Sequence, residues 1–119
     1  MAVNDRTIRA YLGTALWSST DEEGESLDAV FSVDDFAQSA VDQAASDLDD
    51  FFEANEELIE ESGLSDSDVA HNFWLTRNRH GAGFWDRGLG KVGDELTANA
   101  HAYGESDVYE GDDGQLYLS

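Results

Sequence analysis

The residues best suited to chemistry lie in one segment, HNFWLTRNRHGAGFWDRG, which spans positions 71–88. It contains two histidines, His71 and His80, and a carboxylate, Asp86. Histidine and carboxylate side chains can bind a metal ion or transfer protons, so these three form the candidate catalytic set. Their spacing matches no standard zinc pattern such as HExxH. The sequence therefore favours a non-enzymatic protein without a cofactor, with a small histidine/carboxylate metal-dependent enzyme as the alternative.

Glycines recur in the same region, as GAG at 81–83, GLG at 88–90 and Gly93. A glycine-rich loop can bind phosphate, but this use needs a preceding strand, a helix N-terminus and usually a lysine placed as in GxxxxGKS. GLGKVGD has a lysine at the wrong spacing and no hydroxyl residue. We therefore expect these glycines to serve turns, where glycine adopts positive φ at little cost.

The balance of charge narrows the function classes further. Twenty-seven acidic residues face six basic ones, which gives a formal net charge of -21. Such a charge repels the phosphate backbone, so direct binding to nucleic acid is not expected. A basic partner, metal ions or a very salty cytoplasm would each account for the charge. The chain has no cysteine, which excludes disulfides and thiolate chemistry. No apolar run approaches the roughly 18 residues of a membrane span and the N-terminus lacks a signal-peptide pattern, so the cytoplasm is the expected compartment.

Two helices that could position these residues are predicted in the first half of the chain. The first begins at Asn4 or Asp5, and its apolar residues recur every three or four positions from Ile8 to Leu16. The second begins after Ser32, which forms a capping pair with Asp35, and ends at Gly63. This second helix would contain about 30 residues and extend for about 45 Å.

The predicted long helix is apolar on one side and acidic on the other. Its eleven acidic residues correspond to about one charge per 4 Å, close to the spacing of about 3.4 Å between phosphates along one DNA strand. An acidic helix of this kind could occupy a nucleic-acid channel and imitate DNA. The alternatives are an ordinary solvated helix face and the acidity of a halophile-adapted protein, which serves solubility only. The candidate partner-binding residues are Asp35, Asp42, Asp49, Asp50, Glu53, Glu57 and Glu60.

The second half of the chain predicts a mixture of short helices and hairpins. Ser65 and Asp68 form a capping pair for a short helix, and the aromatic stretches at 73–77 and 84–86 favour a β-hairpin around NRHGAG. A further helix is expected to end at Gly104, and the tail predicts a second hairpin around a DDG turn. One α+β domain results, with a long acidic amphipathic helix and shorter helices packed on a small antiparallel sheet.

The aromatic and arginine side chains of positions 71–88 are expected to support this fold. Phenylalanine and tryptophan in the predicted hairpin would fill the core, and the arginines would pair with the chain's own carboxylates or stack on the tryptophans. An exposed patch of the same residue types would instead form a partner-binding hot spot. The segment is therefore interpreted as the folding centre, with the activity on the acidic helix.

Three stretches of the chain carry a resemblance. YLGTALWSST at 11–20, HNFWLTRNRHGAGFWDRGLG at 71–90 and YGESDVYEGDDGQLY at 103–117 together resemble a family of small acidic proteins encoded by bacteriophages and prophages. The family turn resembles RNGHG, whereas this chain has Arg79 in place of the glycine. The resemblance brings no catalytic residues with it, and it implies an accessory viral protein that acts in the host cytoplasm.

The resemblance and the charge together predict a function. Small acidic phage proteins often counter host defence by imitating DNA, so the expected partner is a basic nucleic-acid-handling protein of the host, such as a restriction or CRISPR effector. Binding by a homodimer is also compatible with the sequence.

Overall fold

The computed structural model describes residues 3–20, 23–80 and 83–119, without the side chain of Asp86. Within these ranges the chain forms five α-helices and a two-stranded antiparallel sheet, so the predicted α+β class is confirmed. The helices are α1 (Asp5–Ser18), α2 (Gln38–Ala54), α3 (Glu56–Ser62), α4 (Asp66–Arg77) and α5 (Lys91–His101), and the strands are β1 (Val108–Glu110) and β2 (Leu116–Leu118). Single 3-10 turns lie at Leu27–Ala29, Val33–Asp35 and Phe84–Asp86.

The first helix forms where the sequence predicts it. The side chain of Asn4 accepts a hydrogen bond from the amide of Thr7 and caps α1. Its apolar side packs mainly against α4, where Tyr11 meets the ring of Phe73 at 5.7 Å and that of Trp74 at 5.3 Å between centroids. Tyr11 and Phe73 are fully buried, so the pair α1–α4 forms the centre of the hydrophobic core.

The predicted long helix is divided, and it begins later than expected. Ser32 and Asp35 do form a capping box, but it closes only one 3-10 turn. Phe36 then adopts an extended conformation and pairs with Leu116 of β2, and the next amide, of Ala37, donates to the carbonyl of Leu116 at 2.9 Å. Pairing with β2 therefore delays α2 until Gln38. The longest helix in the described ranges has 17 residues, or about 25 Å, instead of about 45 Å.

The break between α2 and α3 lies at Asn55, whose φ of -118° and ψ of 22° interrupt the helix. Asn55 is only 3% exposed, and both polar atoms of its amide are satisfied. Its Nδ2 donates to the carbonyl of Phe51 at 2.9 Å, and its Oδ1 accepts from Asn99 of α5 at 2.6 Å. This buried amide therefore has the partners that burial requires. The predicted C-terminal cap at Gly63 is confirmed, with φ of 71°.

The predicted hairpin at 73–77 and 84–86 is wrong. The first stretch belongs to α4, which Ser65 caps as expected but which continues for 12 residues, and the second is a 3-10 turn. Every residue of α4 from Val69 to Arg77 except His71 is buried. A helix that is buried on all sides lacks the apolar periodicity by which amphipathic helices are recognised, so its aromatic residues resembled a strand. Gly81 and Ala82 of the predicted turn lie outside the described residues.

The C-terminal elements agree with the sequence. Strands β1 and β2 pair antiparallel around the DDG turn, with Tyr109 opposite Tyr117, and α5 is followed by Gly104 at φ of 74°. Leu116 is fully buried and attaches the hairpin to the start of α2. In the part of the chain that the structure describes, no helix has the length and apolar content needed to cross a membrane.

Candidate functional site

Six carboxylates of α2 and α3 are exposed, and we refer to them together as the acidic surface: Asp42, Glu53, Glu56, Glu57, Glu60 and Glu61. Asp42 accepts a hydrogen bond from the neutral side chain of Gln38 at 2.9 Å. Among the described residues, the other five make no hydrogen bond or ion pair with their carboxylates. The acidic surface thus has the charge that a basic partner requires, and no cation of the described chain neutralises it.

Three other predicted partner-binding residues have internal bonds instead. Asp35 accepts the amide of Ser32 in the capping box. Asp49 accepts the amide of Val3 at 2.6 Å, and Asp50 accepts the hydroxyl of Tyr103. These bonds fix the N-terminal segment and α5 against α2. Of the seven predicted residues, the structure therefore places Asp42, Glu53, Glu57 and Glu60 on the acidic surface.

An unpredicted carboxylate, Asp47, is paired with the most buried cation of the described chain. Arg77 is 6% exposed, and its NH1 group donates at 2.9 Å both to Asp47 and to the hydroxyl of Tyr11. Its Nε donates to the carbonyl of Gly104 at 2.9 Å, and NH2 donates to the carbonyl of Tyr103 at 3.3 Å. One guanidinium group therefore connects α1, α2 and the end of α5.

The electrostatics of this cluster favour a charged arginine beside neutral tyrosines. Burial opposes the charge of Arg77, but attraction to Tyr11 and hydrogen bonds with Asp47 and Tyr11 outweigh it and raise the pKa of Arg77. Burial raises the pKa of Tyr11 to about 12, against the opposing effect of Arg77. Burial and the hydrogen bond with Asp50 also raise the pKa of Tyr103.

Aromatic packing fixes the inner side of α2. Phe51 stacks on Phe73 with ring centroids 4.2 Å apart and an interplanar angle of 16°, and it lies 5.9 Å from the ring of Phe84. The guanidinium carbon of Arg77 lies 5.4 Å from the centroid of Phe73, so this arginine contacts phenylalanine and Tyr103 where tryptophan was expected. Phe73, Arg77 and Phe84 therefore hold α2 from its inner side, and two of them do so from a helix where the sequence predicted a hairpin.

The two candidate catalytic histidines lie within and just after α4. His71 belongs to the helix and His80 follows its end, with five residues and about 9 Å of helix axis between His71 and Arg77. The side chain of Asp86, the third member of the set, lies outside the described residues. Among the side chains that the structure does describe, no group of three histidine, aspartate or glutamate residues could hold a metal ion. The alternative of a site formed by His71, His80 and Asp86 therefore stays a prediction.

His71 has a defined role on the surface of α4. The hydroxyl of Thr14 donates to the carbonyl of Ala10 at 2.8 Å, so it accepts from Nδ1 of His71, also at 2.8 Å. Burial, and then the nearby charge of Arg87, lower the pKa of His71. Its ring lies 6.0 Å from that of Trp17, which is 58% exposed. A neutral imidazole that joins α4 to α1 is the structural result.

The glycines serve geometry, for two different reasons. Gly88 and Gly90 have positive φ values of 71° and 61°, so the expected turn role is confirmed for them. Gly83 is required by close packing, because a Cβ atom there would lie 2.4 Å from Oγ1 of Thr76. Gly93 lets α5 approach the backbone of Phe84, whose carbonyl oxygen would lie 2.9 Å from an added Cβ. None of these four positions needs a bound phosphate to explain it.

In comparisons with known proteins, no family model, no curated protein and no solved structure matches the chain. The resemblance to small acidic phage proteins therefore stays a prediction, and the function is argued from the acidic surface.

Proposed function

We propose that the protein is a non-enzymatic accessory protein of a bacteriophage or prophage, acting in the host cytoplasm. It binds a basic nucleic-acid-handling protein of the host through the acidic surface and blocks it by imitating DNA. A restriction or CRISPR effector is the expected kind of partner. The observation that carries the proposal is the set of exposed carboxylates on α2 and α3 that have no cationic partner among the described residues.

The distribution of ion pairs supports a role for this surface in binding. Ion pairs join the described side chains of Arg9 and Asp34 and of Arg77 and Asp47, and neither pair includes a residue of the acidic surface. Placing so many like charges side by side destabilises a compact protein by self-repulsion. A cationic partner would relieve that repulsion on binding, and this relief would contribute to the affinity.

The spacing of the acidic surface is compatible with mimicry of one DNA strand. Five of its six carboxylates lie between Glu53 and Glu61, at most about 12 Å at helical rise or about one per 3 Å, and Asp42 lies about 16 Å before them along α2. Phosphates of one strand are about 3.4 Å apart. The surface is shorter than a continuous 45 Å helix would have made it. It therefore suits a local phosphate-binding site better than a long channel.

The rigidity of α2 is a second support. A charged surface that imitates DNA gains affinity when its charges are held in place before binding, because less conformational entropy is then lost. The Arg77–Asp47 pair, the bond from Tyr103 to Asp50 and the stack of Phe51 on Phe73 all hold α2 from its inner side. The acidic surface is thus presented by a supported helix.

The proposal is tested by capture from host cells followed by competition with DNA. Tagged protein retains its partner on a column, and duplex DNA is then added. Mimicry requires that DNA and this protein exclude each other, so DNA should release the partner. A partner that stays bound while it also binds DNA would contradict mimicry.

Four-site variants identify the surface. The test variant reverses Asp42, Glu53, Glu57 and Glu60 to lysine, because these side chains have no structural ion pair. The control variant reverses four exposed acids outside α2 and α3, namely Glu95, Glu105, Glu110 and Asp112, and so changes the net charge equally. The proposal predicts loss of capture by the test variant alone.

The response of folding and binding to salt distinguishes the halophilic alternative from DNA mimicry. If the charge serves only solubility in a very salty cytoplasm, folding should require molar salt. A mimic from an ordinary host should fold in dilute buffer and should lose affinity as salt screens its charges. Circular dichroism over a salt titration distinguishes the two, and a need for molar salt would favour the halophilic explanation.

A further inference from the structure

A groove of about 360 Å³ lies between the N-terminal segment and the helices α2, α3 and α4. Its apolar lining comes from Val3, Phe52 and Ile59, each of which is half-buried. Three exposed carboxylates stand at the groove, those of Glu53, Glu56 and Asp66. A volume of this size lies at the lower end of the range for ligand-binding clefts, about 300–1,000 Å³.

Hydrogen bonds hold the segments that form the walls of the groove. The amide of Val3 donates to Asp49 of α2, which holds the N-terminal segment beside the helix. On the opposite side, Ile59 belongs to α3, whose position depends on the buried bond between Asn55 and Asn99. Asp66 is the first residue of α4, directly after the capping residue Ser65. The groove is therefore formed by four segments and does not depend on a single flexible loop.

The groove combines an aromatic ring, apolar surface and negative charge. Among the residues described, the carboxylates of Glu53, Glu56 and Asp66 form no hydrogen bond or ion pair. An apolar ligand would leave these charges unused, and a small hydrated cation would not use Phe52 or Ile59. A cation on an apolar stem, such as the side chain of arginine or lysine, complements both parts of the groove.

Arginine fits this combination better than lysine. Its planar guanidinium group binds carboxylates in a bidentate manner and also lies over aromatic rings, because it is more weakly hydrated than an ammonium group. Phe52 provides the ring, and Glu53 and Glu56 provide carboxylates beside it.

We propose that this groove receives an arginine side chain of the basic partner and so gives the acidic surface a preference for arginine-rich over lysine-rich segments. This inference rests on the proposed function, because it assigns one position on the same surface. It predicts that affinity depends on the type of cationic side chain as well as on its charge.

The test uses hepta-arginine and hepta-lysine peptides, which have equal charge, and measures their affinities by fluorescence anisotropy at physiological ionic strength. The wild-type protein should bind the arginine peptide about two- to fivefold more tightly, the preference that cation–π contact at an exposed site provides. Ring resonances of Phe52 should shift when the arginine peptide is added.

Two double variants separate the groove from general charge. Glu53→Gln with Glu56→Gln removes two groove carboxylates, and Asp42→Asn with Glu60→Gln removes two from the same helices outside the groove. The groove variant should lose the preference for arginine. The control should weaken both peptides equally and keep the preference.

The outcomes are distinct. Equal binding of both peptides by the wild type, or equal effects of the two double variants, would overturn the groove and leave the acidic surface standing. Binding of neither peptide by the wild type would overturn the proposed function together with the groove.

Discussion

Arg77 provides the most quantitative prediction about stability. Its guanidinium group makes four hydrogen bonds, two of them to carbonyl oxygens and one to Asp47, at 6% exposure. An ammonium group is a compact charge and cannot reach the carbonyl of Gly104 while it also reaches Asp47 and Tyr11. With hydrogen bonds to a charged donor contributing about 1.5–3 kcal/mol each, Arg77→Lys should lower the free energy of unfolding by at least about 2 kcal/mol.

Removing the charge altogether should cost more. Arg77→Met leaves Asp47 without its cation and the carbonyl groups of Tyr103 and Gly104 without this donor. Breaking a buried ion pair by removing one partner costs about 3–5 kcal/mol, a large part of the 5–15 kcal/mol that stabilises a typical domain. We expect this variant to unfold at a much lower urea concentration, or to be only partly folded.

The chain contains a matched control for this prediction. Arg9 and Asp34 form an ion pair with the same 2.9 Å distance as Arg77 and Asp47, but the two side chains are 57% and 77% exposed. Such exposed pairs contribute at most about 1 kcal/mol, so Arg9→Met should be nearly neutral. Urea unfolding followed by circular dichroism measures all three variants. Equal losses of unfolding free energy in Arg9→Met and Arg77→Met, or an unchanged stability of Arg77→Lys, would contradict a stabilising role of the buried network.

Three further predictions concern single positions. Arg79 is the C′ residue of α4, with φ of 56° and with Schellman-type hydrogen bonds from its own amide and the next one. Arg79→Gly should raise the free energy of unfolding by about 0.5–1 kcal/mol in urea titrations, whereas Arg79→Ala should not. An equal effect of both substitutions would contradict backbone strain at this position. Because burial raises the pKa of Tyr11 to about 12, whereas an unfolded tyrosine titrates near 10, its contribution to stability is complete below about pH 10 and is lost between about pH 10 and 12. Unfolding midpoints in urea should thus fall more steeply above pH 10 in the wild type than in Tyr11→Phe, and parallel curves would contradict this. Gly83→Ala places a Cβ atom 2.4 Å from Thr76 and should lower the free energy of unfolding by about 1–3 kcal/mol. Gly13→Ala, at a position of α1 with room for a Cβ atom, should raise it. Thermal unfolding temperatures that change in the same direction for both variants would refute the packing argument.

Local signals explain which elements could be predicted from the sequence. The cap at Asn4, the positive φ at Gly63 and the DDG turn each depend on a few neighbouring residues, and α1, the end of α3 and the C-terminal hairpin formed accordingly. The capping box at Ser32 also formed. It did not start the long helix, because Phe36 pairs with Leu116, eighty residues away in the chain.

Distant contacts explain most of what could not be predicted. Helix α4 is buried on nearly every side, so its sequence has no apolar stripe to distinguish it from a strand. Asn55 breaks the acidic helix through a bond with Asn99, which no local pattern reveals.

The acidic surface and the carboxylates beside it were also only partly predictable from the sequence. Helical periodicity placed Asp42 and Glu53 correctly on the outer side of α2. Asp47 was missed, although it lies four residues before the buried Phe51 and a helical wheel would have put it near the inner side. Its partner, Arg77, could not be identified without the fold.

The most direct test of the central claim is the affinity of the captured partner for the two four-site variants, measured over a range of salt concentrations. Reversal of Asp42, Glu53, Glu57 and Glu60 should abolish binding, while the control variant with the same net charge should retain most of it. Wild-type affinity should fall steeply as salt is added. Equal binding by both variants, or an affinity that does not respond to salt, would contradict the proposal that α2 and α3 present the DNA-like surface.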